Sequence, residues 1–133
     1  MYHYVRNLKG SKYENLKALE LYNFKRQIQF LKKNYSFFDP AQNIKKLINK
    51  NLCWLTFDDG YIDHYKNVLP VLEENNIKGS FFITSNIKNK KILEVNKIQF
   101  ILERKKSDYL LKFIKELFKS KFKLKNNDKI DKI

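Results

Sequence analysis

Apolar and polar positions along this chain switch between two rhythms, one helical and one extended. Phe24, Ile28 and Leu31 fall on one helical face with Leu21 at its start, and Asn23 reads as the N-cap. Residues 35–38 read as a short strand. Asp39-Pro40 is a helix-start signal, an acid at the cap and proline at the first helical position, and Ile44, Leu47 and Ile48 form the buried stripe that follows. Residues 52–57 are a nearly continuous apolar run, the pattern of a strand buried on both faces. An Asp-Asp-Gly turn leads into a helix at 63–75 that buries Val68, Leu69, Val71 and Leu72, with Pro70 expected to bend or restart it. Residues 80–84 read as a second buried strand, and 91–104 and 107–122 as two further helices. In the last helix Leu110, Leu111, Ile114, Leu117 and Phe118 recur at helical spacing, as core packing or as a partner-facing stripe, with membrane docking the less favoured alternative. Strands alternating with helices predict an α/β fold, a parallel sheet with flanking helices.

At 133 residues the chain holds one domain at most, since domains commonly run about 100–200 residues. We place that domain at 1–122, with a polar, basic tail at 123–133 that is expected to fray. Hydrophobic content of 43% with 15% aromatics suffices for a core and argues against global disorder. Cys53 stands alone in an apolar run, reads as an inert core thiol, and gives no sign of an oxidising compartment. The N-terminal residues show no leader pattern and no stretch is apolar enough to span a membrane, so the chain reads as cytoplasmic.

The net charge of +14 invites a nucleic-acid reading, but only Arg6, Arg26 and Arg104 among the 28 basic residues are arginine. Arginine makes the bidentate contacts to phosphate and guanine edges. Lysine abundant alongside asparagine and isoleucine is what A/T-rich coding DNA produces without any partner. Nucleic acid is therefore not expected as a partner, while weak attraction to an acidic polymer or anionic surface follows from charge alone.

The chemistry concentrates in Leu52-Cys53-Trp54-Leu55-Thr56-Phe57-Asp58-Asp59-Gly60, an apolar strand ending in two adjacent carboxylates and a glycine. Neighbouring strand residues point to opposite faces, so one Asp can face a site while the other binds beside it. The carboxyl end of a buried strand is where α/β folds place chemistry. The plainer alternative is a turn with a solvated acid pair.

Three segments in order carry a resemblance: Leu55-Thr56-Phe57-Asp58-Asp59-Gly60-Tyr61, then Val68-Leu69-Pro70-Val71-Leu72, then Lys78-Gly79-Ser80-Phe81-Phe82-Ile83. Together with the opening Tyr2-His3-Tyr4-Val5-Arg6, residues 1–104 resemble the N-terminal part of a polysaccharide deacetylase domain, the NodB-type fold of carbohydrate esterase family four. The resemblance implies a distorted (β/α) barrel, here too short to close, that removes acetyl groups from N-acetylated carbohydrates. It implies Asp58 as the catalytic base and Asp59 as a ligand of a divalent metal, zinc by preference. In mechanism, the metal acidifies a water and the free carboxylate takes its proton.

The departure from that family is as informative as the match. Its metal site needs a His-x-x-x-His motif, and this chain has only His3 and His64. His64 reads as a partly exposed surface residue. His3 reads as lying at a strand end near the site, more for packing than for catalysis. At about 30 residues per strand–helix unit the chain holds about four of the eight units of a barrel. The expectation is a truncated domain, inactive alone, whose metal ligands and remaining strands would come from a second chain. An inactive remnant or a non-catalytic basic binding module is the alternative.

Overall fold

The computed structural model describes residues 1–42, 51–85, 92–105 and 107–122. The helix expected after Pro40, with its Ile44, Leu47 and Ile48 stripe, and the tail from 123 lie outside the described residues.

Helix α1 runs Leu21–Asn34 and buries Phe24 and Ile28, the face that the sequence marks. It starts earlier than expected, with Glu20 rather than Asn23 at the cap position. The Glu20 carboxylate is engaged elsewhere, accepting the Leu8 N–H at 3.0 Å, and Leu19 is tied to the N-terminal segment, which sets where the helix can begin. Strand β1, Ser36–Phe37, pairs in parallel with β2, Leu52–Cys53. Strand β3, Leu55–Asp58, pairs in parallel with β4, Gly79–Phe82. The single strand expected at 52–57 is thus two strands in two sheets, divided at Trp54. That indole is turned outward and donates its Nε1–H to Ser80 Oγ at 3.0 Å, which breaks the continuous buried run. Cys53 is half-buried rather than interior.

The chain's first residues complete β3. The Tyr2 N–H donates to the Thr56 carbonyl at 2.8 Å and the Asp58 N–H to the Tyr2 carbonyl at 2.9 Å, a parallel bridge along the edge opposite β4. Flanked on both sides, β3 alternates buried Leu55 and Phe57 with half-buried Thr56 and Asp58. Phe57 is fully buried at the centre of a core formed with Val5, Phe24, Ile28, Val68 and Leu72. Its ring stacks on Phe81 and on Tyr2, at centroid distances of 4.9 and 5.4 Å.

After the Asp-Asp-Gly turn, His64–Val68 form a π-helical turn that passes into α2, Leu69–Glu74. Pro70 sits in the first turn of α2 and restarts the helix as its sequence requires. A proline carries no N–H, so the turn before it widens and the Leu69 N–H reaches back to the His64 carbonyl. Asn76, at φ 54°, then ends α2 in the left-handed conformation that asparagine tolerates.

Strand β4 corrects another expectation. It spans Gly79–Phe82 rather than 80–84, and Phe81 and Phe82 are exposed rather than buried. Among the described residues β4 pairs only with β3, so its other edge has no strand partner there. Helices α3, Glu94–Arg104, and α4, Ser107–Phe122, form close to where helical spacing places them, α3 three residues later at its start. Phe100 of α3 packs on Tyr4 and Tyr13, but most of the other apolar positions stay outside the core. Val95, Ile98, Ile101 and Leu102 of α3 and Tyr109, Leu111, Phe113, Ile114 and Leu117 of α4 are exposed, because two short sheets offer too little apolar surface to cover them. No closed barrel forms among the described residues.

Gly79 marks the tightest contact between β4 and the core. A Cβ there would lie 2.8 Å from Phe57 Cε2 and 3.3 Å from Leu72 Cδ1. Gly79→Ala is therefore expected to destabilise the fold by about 1–3 kcal/mol, read from chemical denaturation, through displacement of the central ring.

Candidate functional site

Strand β3 delivers Asp58 at its carboxyl end, and the chain then reverses through two left-handed residues, Asp59 at φ 71° and Gly60 at φ 64°. Aspartate is among the few non-glycine residues that adopt this conformation, at modest cost. The reversal separates the two carboxylates. Asp58 stays half-buried in register with Phe82. Asp59 swings under the N-terminal segment, where its Oδ2 receives the Tyr61 hydroxyl at 2.7 Å and His3 Nδ1 at 3.2 Å.

Tyr61 is the bridge between this carboxylate and α3. Its hydroxyl also lies 2.7 Å from Asn96 Oδ1, and Asn96 is buried. A hydroxyl has one proton, which goes to the carboxylate. Asn96, turned about its amide, then donates an N–H to the hydroxyl oxygen. The Tyr61 ring stacks on Tyr4 with centroids 4.0 Å apart. Burial first, then the bond to Asp59, pushes the Tyr61 phenol far above the ordinary tyrosine range. Beside these residues opens a cleft of about 330 Å³, walled by Tyr4, Tyr61, Ile62, Leu93, Asn96 and Phe100.

Three side chains from the turn before α2 hold the N-terminal segment against β3. Asp63 accepts two bonds from Arg6, at 2.7 Å from Nε and 2.9 Å from Nη2. Asn67 Nδ2 donates to the Val5 carbonyl at 2.7 Å, and His64 Nε2 to the His3 carbonyl at 2.8 Å. His64 is therefore not the surface residue expected from sequence. It is 4% exposed, packed among the rings of Phe57, Tyr61 and Phe81, and its Nδ1 is buried without a partner. His3 does lie beside Asp59, as its strand-end position implied.

The Arg6–Asp63 pair escaped the sequence reading. Its one signal was an arginine in a chain that otherwise uses lysine, since only arginine makes the two-pronged contact to a carboxylate.

His3 and Asp59 offer one imidazole and one carboxylate. Among the described residues no group of three His, Cys, Asp or Glu gathers that would hold a metal. Catalytic zinc takes three protein ligands and a water, so this pair does not by itself make a metal centre.

A phenol whose folded-state pKa is raised lends stability that is complete below the unfolded value near 10 and is lost as pH climbs past it. Denaturant midpoints followed from pH 7 to about pH 11 are expected to fall beyond pH 10. The fall should be shallower in Tyr61→Phe, which has no phenol to ionise.

Residues 45–120, more than half of the chain, match the family model described as polysaccharide deacetylase. The structure is similar to that of the Streptococcus pyogenes deacetylase PplD solved in complex with acetate, with a TM-score of 0.55 and 27% sequence identity. The similarity covers 68% of this chain and 43% of that one, so this chain spans less than half the length of PplD. No curated protein matches the sequence. No helix among the described residues is long and apolar enough to cross a membrane.

Proposed function

Since the chain belongs to the polysaccharide deacetylase family, we propose that it is a carbohydrate N-deacetylase domain, a hydrolase that splits the amide C–N bond of an N-acetylated sugar. Water adds its oxygen to the acetyl carbon, acetate leaves, and the sugar keeps a free amine. The observation that carries this reading is the divided pair at the end of β3: Asp59 fixed by Tyr61 and His3, Asp58 beside it and outside that network. The similarity to PplD, solved with acetate bound, agrees with acetate as the product.

In this reading Asp58 takes the proton of the attacking water, because a carboxylate left out of the local hydrogen bonds keeps its lone pairs for that task. Asp59, already oriented, is one ligand for a divalent ion, with zinc favoured by a carboxylate–imidazole donor set. Such an ion would acidify the water and polarise the acetyl carbonyl. The pair His3 and Asp59 falls short of a complete ligand set, so we assign the remaining ligands to residues beyond this cluster, with a second chain as one source. Tyr4, Tyr61 and Phe100 give the adjoining cleft an aromatic wall suited to the apolar face of a sugar ring, and Asn96 supplies a polar group.

Acetate release from N-acetylglucosamine oligomers in excess Zn²⁺, measured with the residues that complete the ligand set supplied, tests the assignment. Asp58→Asn should lower the rate by about 10²–10⁴-fold with unfolding midpoints unchanged. Asp59→Asn should in addition lower the zinc retained after desalting. Rates and zinc content equal to the parent in both variants would remove the Asp pair from the reaction.

A further inference from the structure

We infer that α4 is an interfacial helix that docks the protein on an anionic lipid surface, independently of Asp58 and Asp59. The observation is a helix whose apolar side chains stay out of the core: Tyr109, Leu111, Phe113, Ile114 and Leu117 are 41–59% exposed. At about 100° per residue, Tyr109, Phe113, Leu117 and Ile114 share one side of the helix. Lys112 and Lys119, with Asp108 and Glu116, gather in the sector opposite. A broad apolar face bordered by lysines is the pattern of a helix lying in the plane of a membrane interface, apolar side down, with lysine stems reaching up to the headgroups.

Charge decides among the occupants of this face. A second copy would bring another +14 against the first, which opposes close pairing. A polyanion such as a nucleic acid would satisfy the lysines and leave Phe113 and Leu117 in water. An anionic bilayer satisfies both faces, with phosphate headgroups for the lysines and acyl chains for the aromatic and aliphatic side chains. The helix is too short and too charged to span, so it lies on the surface. Lys105 caps the arrangement, its ammonium 5.3 Å from the centre of the Tyr109 ring, where it adds a cation at the edge of the apolar face.

Co-sedimentation with vesicles tests this directly, using phosphatidylcholine alone and phosphatidylcholine mixed with phosphatidylglycerol. The full chain should pellet with the mixed vesicles and not with the neutral ones, and roughly half-molar salt should weaken binding several-fold. The double variant Lys112→Gln/Lys119→Gln should bind about 30-fold more weakly. Phe113→Asp/Leu117→Asp should abolish binding while far-ultraviolet circular dichroism stays that of the parent, because both positions are exposed. Absence of binding to the mixed vesicles would overturn the inference. So would a concentration-dependent dimer in ultracentrifugation that Phe113→Asp dissolves without any vesicle binding, which would make the face a self-association surface. Binding to dextran sulfate as tight as to vesicles, and unaffected by Phe113→Asp/Leu117→Asp, would reduce the effect to charge and overturn it too.

Discussion

The two-pronged pair of Arg6 with the nearly buried Asp63 is the constraint on which the rest of this structure depends. Residues 1–6 are held from two sides: Tyr4 and Arg6 make backbone hydrogen bonds to Leu19, and a segment more than fifty residues away grips them through Asp63, His64 and Asn67. Removing one partner of such a pair leaves a charge in the interior, at a cost of about 3–5 kcal/mol. With Arg6 in place, Tyr2 is set along β3, Val5 enters the core and His3 comes within reach of Asp59. The strand end that carries the two carboxylates thus acquires its second neighbour from the chain's beginning and its first, β4, from beyond α2.

This arrangement explains why the carboxylates differ. A strand ladder governs Asp58, and a left-handed turn releases Asp59 from it. Tyr61 and His3 then fix the released group, and Tyr61 extends the connection to the buried Asn96 on α3. One carboxylate is positioned and the other stands outside its hydrogen bonds, the difference on which the roles proposed for Asp58 and Asp59 rest.

Local chemistry was legible in the sequence, and long-range pairing was not. The Asp58-Asp59-Gly60 stop, the restart at Pro70 and the extent of α4 each follow from a few adjacent residues, and the structure has all three. Two errors have a common cause. His64 sits beside Asp63, Tyr65 and Lys66 in sequence, yet the rings of Phe57, Tyr61 and, from β4, Phe81 enclose it. The run from Leu52 to Phe57 is uniformly apolar, yet Trp54 finds Ser80 and turns outward, which splits the strand. The apolar stripe of α4 shows the limit of periodicity in another way: spacing announces that a face wants cover, and only the surroundings say whether it has any.

The central claim is that the clamp from Arg6 to Asp63 builds the carboxylate site by holding the N-terminal segment on β3. Native-state amide hydrogen exchange of the parent and of Arg6→Met tests it most directly, read at the Asp58 amide, which donates to Tyr2, and at Ile28 in α1. The account predicts strong protection of Asp58 in the parent. In the variant that protection should fall by well over tenfold more than that of Ile28, since local release at the strand edge precedes global unfolding. An Asp58 amide that exchanges freely in the parent, or that loses no more protection than Ile28 in the variant, would contradict it.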